Sequence, residues 1–407
     1  MKKIKFIALA FLLLVLASCN DWVTNIPHTN DLITESQMNT QVNVPFMITG
    51  LHNRLAGLSN VWMEADGISD QMFFDLRAGN STYPTFQELD QAVAIQYNNS
   101  GSFNLIQLMR MNADTLVGRA LNNIQFTGDA AGTKAKNDAL YWGYLYGGIA
   151  RYTLGAYIGI HQTVGGATIN GSAFIPAHDL FVQAVAKLKL ALPFAADARS
   201  TRIVNSIIGK AYFMDGDYVN ALTYLNTGMI SGDAPFQSLY SATTSDNMYR
   251  SQAGEARQQW AIDNRFAGYI AAVPDEAKRI PLVTLSKSGW TYYRQAKYIQ
   301  LADGTTSPFV FMDWQETSLM KAEIMARQGT AGNMALINAI RTSRGMTTMV
   351  TKDLTTDDIY VERDKELFLR GTRLLDERRF NKPHITGMWL YIPISQNEID
   401  KNPNLVL

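Results

Sequence analysis

The chain has 407 residues, with 36 basic side chains, 36 acidic side chains and one cysteine, Cys19. This charge balance leaves no basic stripe that could neutralise phosphates, which argues against a nucleic-acid partner. A single cysteine also excludes a zinc site built from several thiolates.

Residues 1–18 have the pattern of a secretory signal peptide. Three lysines precede an apolar run from Phe6 to Leu16, which is shorter than the roughly 20 residues of a membrane-spanning helix. Leu16-Ala17-Ser18-Cys19 then resembles the bacterial lipobox, which implies cleavage before Cys19 and a diacylglyceryl group on its sulfur. Several acyl chains on one residue make a stable anchor, since each buried methylene contributes about 0.8 kcal/mol.

The segment after the cleavage site predicts a tether followed by one helical body. Removing the signal peptide lowers the basic side chains from 36 to 33 against 36 acidic ones, a formal net charge of −3. Residues 19–35 are polar and include Pro27, which favours an extended tether. Residues 36–407 carry apolar side chains mostly at three- and four-residue spacings. We therefore predict a single, mainly α domain with minor β structure.

The clearest repeat covers residues 202–235. Small and aromatic residues follow the spacing of a tetratricopeptide (TPR) unit, in which two antiparallel helices pack closely. Gly209 and Ala221 allow close helix approach, and Gly216 permits the tight turn between the helices. Asn205 departs from the pattern, which prefers tryptophan there.

Two further segments predict similar helices. Residues 313–344 form a second pair, Asp313–Arg327 and Ala331–Arg344, and residues 135–158 suit the first helix of a third unit. Because an isolated unit cannot bury its apolar face, we expect the units to stack into a TPR-like superhelix. Residues 68–86 and 231–308 interrupt the helical pattern, with short strands indicated near 281–285 and 290–293. Insertions in repeat proteins gather on one face, often the binding face.

Acidic and basic residues alternate in the C-terminal third. Glu366 and Arg370 are four residues apart, as are Arg373 and Glu377, and such pairs on one exposed helix face contribute about 0.2–0.5 kcal/mol each. The alternative is a carboxylate pair of a glycosidase. Interleaved arginines would hold these acids ionised, which favours structural ion pairs over a proton donor.

No motif predicts catalysis, a metal or a cofactor. The five histidines are scattered, without a His-Glu-x-x-His zinc motif, and there is no Gly-x-Ser-x-Gly nucleophile elbow. Gly128–Lys134 looks superficially like a phosphate-binding loop, but it is one residue short and Thr133 stands where lysine is needed. We interpret it as a turn between helices.

An ordered series of motifs resembles the SusD/RagB family of outer-membrane nutrient-binding lipoproteins of Bacteroidetes. The resemblance spans nearly the whole mature chain and is carried by Cys19-Asn20-Asp21-Trp22, the TPR unit, Glu316–Arg327, Leu336–Arg341, Glu362-Arg363, Glu366-Leu367, Gly371, Arg373, Asp376, Arg379, Tyr391-Ile392-Pro393-Ile394, Glu398-Ile399 and Asn402-Pro403. This chain departs from the family with Arg370 before Gly371, where glutamate is usual, and with Glu377, where leucine is usual. It also stops at Leu407, earlier than most members.

The resemblance implies a surface-exposed, lipid-anchored receptor of the outer membrane. Such a receptor captures a nutrient, most simply an oligosaccharide, and passes it to a TonB-dependent, SusC-like transporter barrel. Three alternatives stay open: a RagB-like peptide receptor, a membrane-tethered TPR scaffold for other envelope proteins, and a glycosidase with two carboxylates facing each other across a cleft.

Two segments offer the side chains that sugar binding needs. Sugar rings pack on flat aromatic faces, while their hydroxyls bind carboxylates, amides or guanidinium groups. We expect Trp142 and Trp314, which lie in helical patterns, to belong to the core instead. The candidate ligand-binding residues are Trp62, Asp66, Asp70, Phe73, Phe74, Trp290, Tyr292, Tyr293 and Arg294.

Overall fold

The computed structural model describes residues 35–75, 77, 84–93, 101–241, 246–258 and 260–405. The signal peptide, Cys19 and all but the last residue of the predicted tether lie outside this part of the chain.

Helices dominate the described chain, as the sequence predicts. Short 3₁₀ turns at Gln41–Asn43, Leu192–Phe194 and Pro274–Lys278 accompany them. The helices are α1 (Glu35–Met38), α2 (Val44–Gly57), α3 (Ser59–Ile68), α4 (Pro84–Gln91), α5 (Gly101–Asn122), α6 (Ala130–Tyr157), α7 (Ala177–Ala191), α8 (Ala198–Asp215), α9 (Tyr218–Leu225), α10 (Met248–Ala253), α11 (Asn264–Ala272), α12 (Trp314–Gln328), α13 (Asn333–Ser343), α14 (Thr356–Glu366), α15 (Arg373–Arg379) and α16 (Gln396–Lys401).

Consecutive helices stack on one another. Helix α6 packs between α5 and α7, α8 packs between α7 and α9, and α12 then contacts α8, α9, α13 and α14. The result is a TPR-like superhelix of antiparallel helix pairs, which confirms the predicted fold class.

Helices α8 and α9 form the pair that the TPR spacing predicts. Helix α8 begins earlier than expected, because the Asp197 carboxylate caps it by accepting the backbone N–H of Ser200. Gly216 ends it with φ +84°, a left-handed conformation that glycine adopts without strain. The unusual Asn205 donates its side-chain amide to the backbone oxygen of Thr227.

The second and third predicted units are also helical. Asp313 caps α12 through the backbone N–H of Glu316, and Gly329 ends it with φ +65°. The third segment lies within α6, which runs from Ala130 to Tyr157. Its cap is Asp129, so only residues 128 and 129 of the glycine-rich segment precede the helix, and residues 130–134, which were interpreted as a turn, begin it.

The described strands lie both inside the predicted insertions and outside them, at residues 158–176 and 392–393. The strands are β1 (Met72–Phe74), β2 (Ile158–Gly159), β3 (Gly166–Ala167), β4 (Ile175–Pro176), β5 (Phe236–Ser241), β6 (Trp260–Ile262), β7 (Leu282–Lys287), β8 (Trp290–Gln295), β9 (Thr305–Met312) and β10 (Ile392–Pro393). Strands β1, β6, β8 and β7 form one antiparallel sheet in that order. Ser288 and Gly289, both with positive φ, turn the β7–β8 hairpin.

The expected ion pairs between residues four apart on exposed helix faces were wrong. Helix α14 ends at Glu366, so Arg370 does not share its face. Glu366 is fully buried and binds Arg344 at 2.7 Å instead. Arg370 is also buried and reaches Asp313 at 2.7 Å and Glu316 at 2.9 Å, on the helix α12 side of the core.

Arg373 and Glu377 also find other partners. The Arg373 guanidinium binds both carboxylate oxygens of Asp70, at 2.6 and 2.9 Å. The buried Glu377 carboxylate contacts His384 Nδ1 at 3.1 Å and accepts the backbone N–H of Asp70. These residues therefore join distant elements, α15 and the residues just before β1.

Gly209 sets the spacing between α8 and α9. A Cβ atom there would lie 2.7 Å from the Leu225 side chain and 3.2 Å from the Ala221 carbonyl oxygen. A substitution must therefore push the two helices apart or distort Leu225.

We predict that Gly209→Ala lowers the free energy of unfolding by about 1 kcal/mol or more, because overpacking outweighs the gain in helix propensity. The matched control is Gly118→Ala within α5, where a Cβ atom meets nothing within 4 Å and stability should stay equal or rise. Chemical denaturation of both variants checks this, and an equally stable or stabilised Gly209→Ala protein contradicts it.

Candidate ligand-binding site

Trp62 and Asp66 lie inside the protein, although the sequence made them candidates for ligand contact. Helix α3 is buried on nearly every side. Trp62 is 1% exposed and its ring stacks on Phe309 with centroids 4.0 Å apart. Asp66 is fully buried and accepts hydrogen bonds from the Tyr249 hydroxyl at 2.6 Å and the Gly371 N–H at 2.9 Å. Both side chains therefore stabilise the core and do not belong to the proposed site.

Asp70 is engaged in ion pairs. Besides Arg373, it binds Arg265 at 2.9 Å. Burial by itself would raise the pKa of Asp70, but the hydrogen bond from Arg373 and the charge of Arg265 lower it to about 2. Asp70 thus fixes the backbone two residues before β1.

The four-stranded sheet separates the remaining candidates into two groups. Successive residues of a strand point to opposite faces. Phe74 and Tyr293 pack against the main hydrophobic core. Phe73, Trp290 and Tyr292 lie on the other face, where they form a separate apolar cluster with Leu285 and Ala261. We call this cluster the aromatic face.

The rings of the aromatic face are closely stacked. Trp290 and Tyr292 have centroids 4.5 Å apart and planes at 13°, and Phe73 meets Trp290 edge-on at 6.5 Å. Tyr292 is only 5% exposed, and its hydroxyl donates to Gln258 Oε1 at 2.9 Å. Trp290 and Phe73 are half-buried. A ligand would therefore meet Trp290 and Phe73, while Tyr292 supports them.

The sequence did not single out Arg77, which lies on this face. Its guanidinium carbon is 4.2 Å from the centroid of the Trp290 ring, and its side chain is 61% exposed. Asp75 holds it by an ion pair of 2.6 Å. A planar group already stacks on Trp290, so a sugar ring would share or take that position. Displacing an exposed side chain costs little free energy.

A second concave region lies elsewhere, around Trp142. This residue was expected in the core, but it is only partly buried and lines two cavities of about 810 and 480 Å³. His52 also lines both cavities and meets the Trp142 ring at 4.6 Å. Trp314 is 9% exposed and lies in the core.

Buried acids with raised pKa values are part of the scaffold. Burial raises the pKa of Glu64, Asp66 and Glu377 to about 7, but each carboxylate already has a hydrogen-bond partner in the protein. Glu316 and Asp376 line one cavity together, but it holds only about 10 Å³, too small for a sugar ring, and arginines bind both acids.

The described residues contain no group of three or more histidine, cysteine, aspartate or glutamate side chains placed to hold a metal ion. Among the same residues, no helix has the length and apolar character required to cross a membrane.

Comparison with known proteins identifies the architecture. No protein-family model and no curated sequence matches the chain. Solved structures do match the chain. A SusD superfamily protein from Bacteroides vulgatus aligns with a TM-score of 0.71 and 16% sequence identity, and the alignment covers 90% of this chain and 100% of that protein's chain. The chain has the SusD-like fold.

Two further SusD-like structures are named for their ligands. A SusD-like carbohydrate-binding protein from Bacteroides vulgatus has a TM-score of 0.67 and 16% identity, covering 90% of this chain and 97% of its own. Surface glycan-binding protein A from Bacteroides thetaiotaomicron, solved with laminarihexaose, has a TM-score of 0.61 and 14% identity, covering 90% and 99%. At this level of identity the likeness establishes the fold, as the motif resemblance predicted.

Proposed function

We propose that the chain is a surface nutrient receptor that binds an oligosaccharide on the aromatic face and passes it to a SusC-like transporter barrel. The observation that carries the proposal is the Trp290–Tyr292 stack, which lies outside the main core on the face of a sheet. Stacked aromatic rings at a surface offer the flat apolar area that the C–H face of a sugar ring covers. Two solved proteins of the same fold are described as carbohydrate- or glycan-binding, which supports this assignment.

The proposed role is binding without covalent chemistry. The apolar stack supplies contact area, and Arg77 beside it supplies donors for hydroxyl groups. Affinity would come from several rings of the ligand lying on Trp290 and Phe73 in turn. We therefore expect modest affinity that increases with the length of the oligosaccharide.

Peptide is the second candidate cargo, and one observation favours it. Strand β7 is at the edge of the sheet, so the backbone groups on its outer side have no strand partner within that sheet. An extended peptide can add to such an edge through main-chain hydrogen bonds. Aromatic stacking and edge pairing use different parts of the sheet, so ligand surveys distinguish the two cargoes.

We predict that Trp290→Ala weakens oligosaccharide binding by about tenfold or more, since it removes the principal stacking surface. A calorimetric survey of neutral and acidic oligosaccharides, together with peptides, first identifies the ligand. The fold should survive the substitution, because the aromatic face is separate from the main core.

The matched control is Tyr144→Ala. Tyr144 is another half-buried aromatic residue, stacked on Phe194 at 6.3 Å in the helical layer, and its loss should leave the affinity unchanged. Unchanged binding by Trp290→Ala would remove the aromatic face from the proposal, and binding of peptides without any glycan would reject an oligosaccharide cargo.

We also propose that acyl chains on Cys19 hold the protein at the outer membrane next to its transporter, as the lipobox and family resemblance imply. Wild-type protein should fractionate with outer membranes and co-purify in detergent with a large β-barrel protein. Cys19→Ser should leave it unlipidated and release it from the membrane. Membrane retention of Cys19→Ser contradicts the anchor, and wild-type protein that co-purifies only with other envelope proteins favours a scaffold.

A further inference from the structure

Within the described part of the chain, Arg294 is an arginine without a carboxylate partner. It lies on β8 two residues beyond Tyr292, so its side chain points to the aromatic face. Its Nε atom is fully buried and has no hydrogen-bond acceptor among the described residues. A guanidinium group is always charged and carries five N–H donors, so a buried donor without an acceptor is costly.

The arginines of the scaffold are held differently. Arg363 and Arg379 both bind Asp376, at 2.9 and 2.7 Å, and Arg379 also binds Glu323 at 2.8 Å. Each of these guanidinium groups is buried against the acid that neutralises it. Arg294 therefore differs from these two arginines, because no carboxylate among the described residues binds it.

Glu255, an acid that feels the charge of Arg294, binds other groups. Glu255 accepts hydrogen bonds from Arg250 Nε at 3.0 Å and from the backbone N–H of Gln300 at 2.6 Å. Burial tends to raise the pKa of Glu255, but these two bonds and the charges of Arg250 and Arg294 lower it. The carboxylate stays ionised and within electrostatic range of Arg294, without forming an ion pair with it.

Other cations lie around the same rings. Lys287 is exposed and pairs across the hairpin with Trp290, and Arg77 lies over the Trp290 ring. The acid beside Arg77, Asp75, is already bound to it. Asp75 therefore neutralises Arg77, and the positive charge that complements an anionic ligand comes from Arg294 and Lys287.

We propose that the ligand is an acidic oligosaccharide whose uronate carboxylate binds Arg294 while a sugar ring stacks on Trp290. The guanidinium fork matches the two oxygens of a carboxylate, and Arg294 is partly exposed with no carboxylate of the described residues bound to it. Lys287 strengthens the attraction of the acidic chain to the face. This inference rests on the proposed oligosaccharide-binding function and specifies its substrate class.

The experiment compares each acidic glycan with its neutral form on the full-length protein in detergent. Calorimetry is run with uronate oligosaccharides (galacturonate, mannuronate–guluronate and glucuronate types), with their methyl esters, with sulfated neutral glycans and with peptides. At least one uronate ligand should bind about tenfold or more tightly than its methyl ester, since a charge-assisted bond contributes about 1.5–3 kcal/mol. Added salt should weaken the binding of the acid and leave the binding of the ester unaffected.

Two variants assign the preference to Arg294. Arg294→Gln should abolish the difference between acid and ester by lowering affinity for the acid alone. Arg54→Gln, which changes an exposed arginine of helix α2, should keep the difference intact.

The outcomes separate the inference from the function that it refines. Equal binding of acid and ester, preference for neutral or sulfated glycans, or equal losses for both ligands in Arg294→Gln would overturn the acidic-sugar inference alone. Failure of every glycan, with or without peptide binding, would overturn the proposed function as well.

Discussion

Buried ion pairs between arginines and carboxylates hold the helical body to the sheet. Arg373 on α15 binds both oxygens of Asp70, and Glu377 on the same helix accepts the Asp70 backbone N–H. Arg370 extends the same connection to Asp313 at the start of α12. Separating these elements would leave buried charges without partners, which costs several kcal/mol. The ion pairs therefore fix the elements relative to one another. The position of β1, and with it the aromatic face, depends on this constraint.

The need of buried charges for partners also explains how the helical body differs chemically from the aromatic face. Inside the body, carboxylates such as Glu362 stay ionised: burial would raise its pKa, but Arg279 and Arg341 lower it to about 2. Acids held in this way neutralise arginines and do not act as proton donors. On the aromatic face the balance differs, since no acid among the described residues binds Arg294 and the Trp290 and Phe73 rings are half-buried.

The sequence predicted the helix pairs because their signals are local. Gly216 and Gly329 end helices with positive φ, and Asp197 and Asp313 cap them, so spacing alone locates these elements. The β7–β8 hairpin was also predictable from its strand-forming residues. The ion pairs were not, since Glu366 and Arg344 are brought together by folding and nothing in their separation indicates it.

The candidate site was predictable only in part. The residues around Trp62 in the sequence do not distinguish it from a surface tryptophan. Its stacking on Phe309 in the folded protein shows that it is buried. Alternation within β8 could have separated Tyr293 from Trp290 and Tyr292, because strand residues two apart share a face. The sequence signal thus marked strand β8 without separating its two faces.

A crystal structure of the protein with its tightest-binding oligosaccharide tests the central claim most directly. The account predicts electron density for a sugar ring in van der Waals contact with the Trp290 indole, within reach of Arg294. A ligand bound instead in the groove beside Trp142 and His52, with the aromatic face empty, would contradict it.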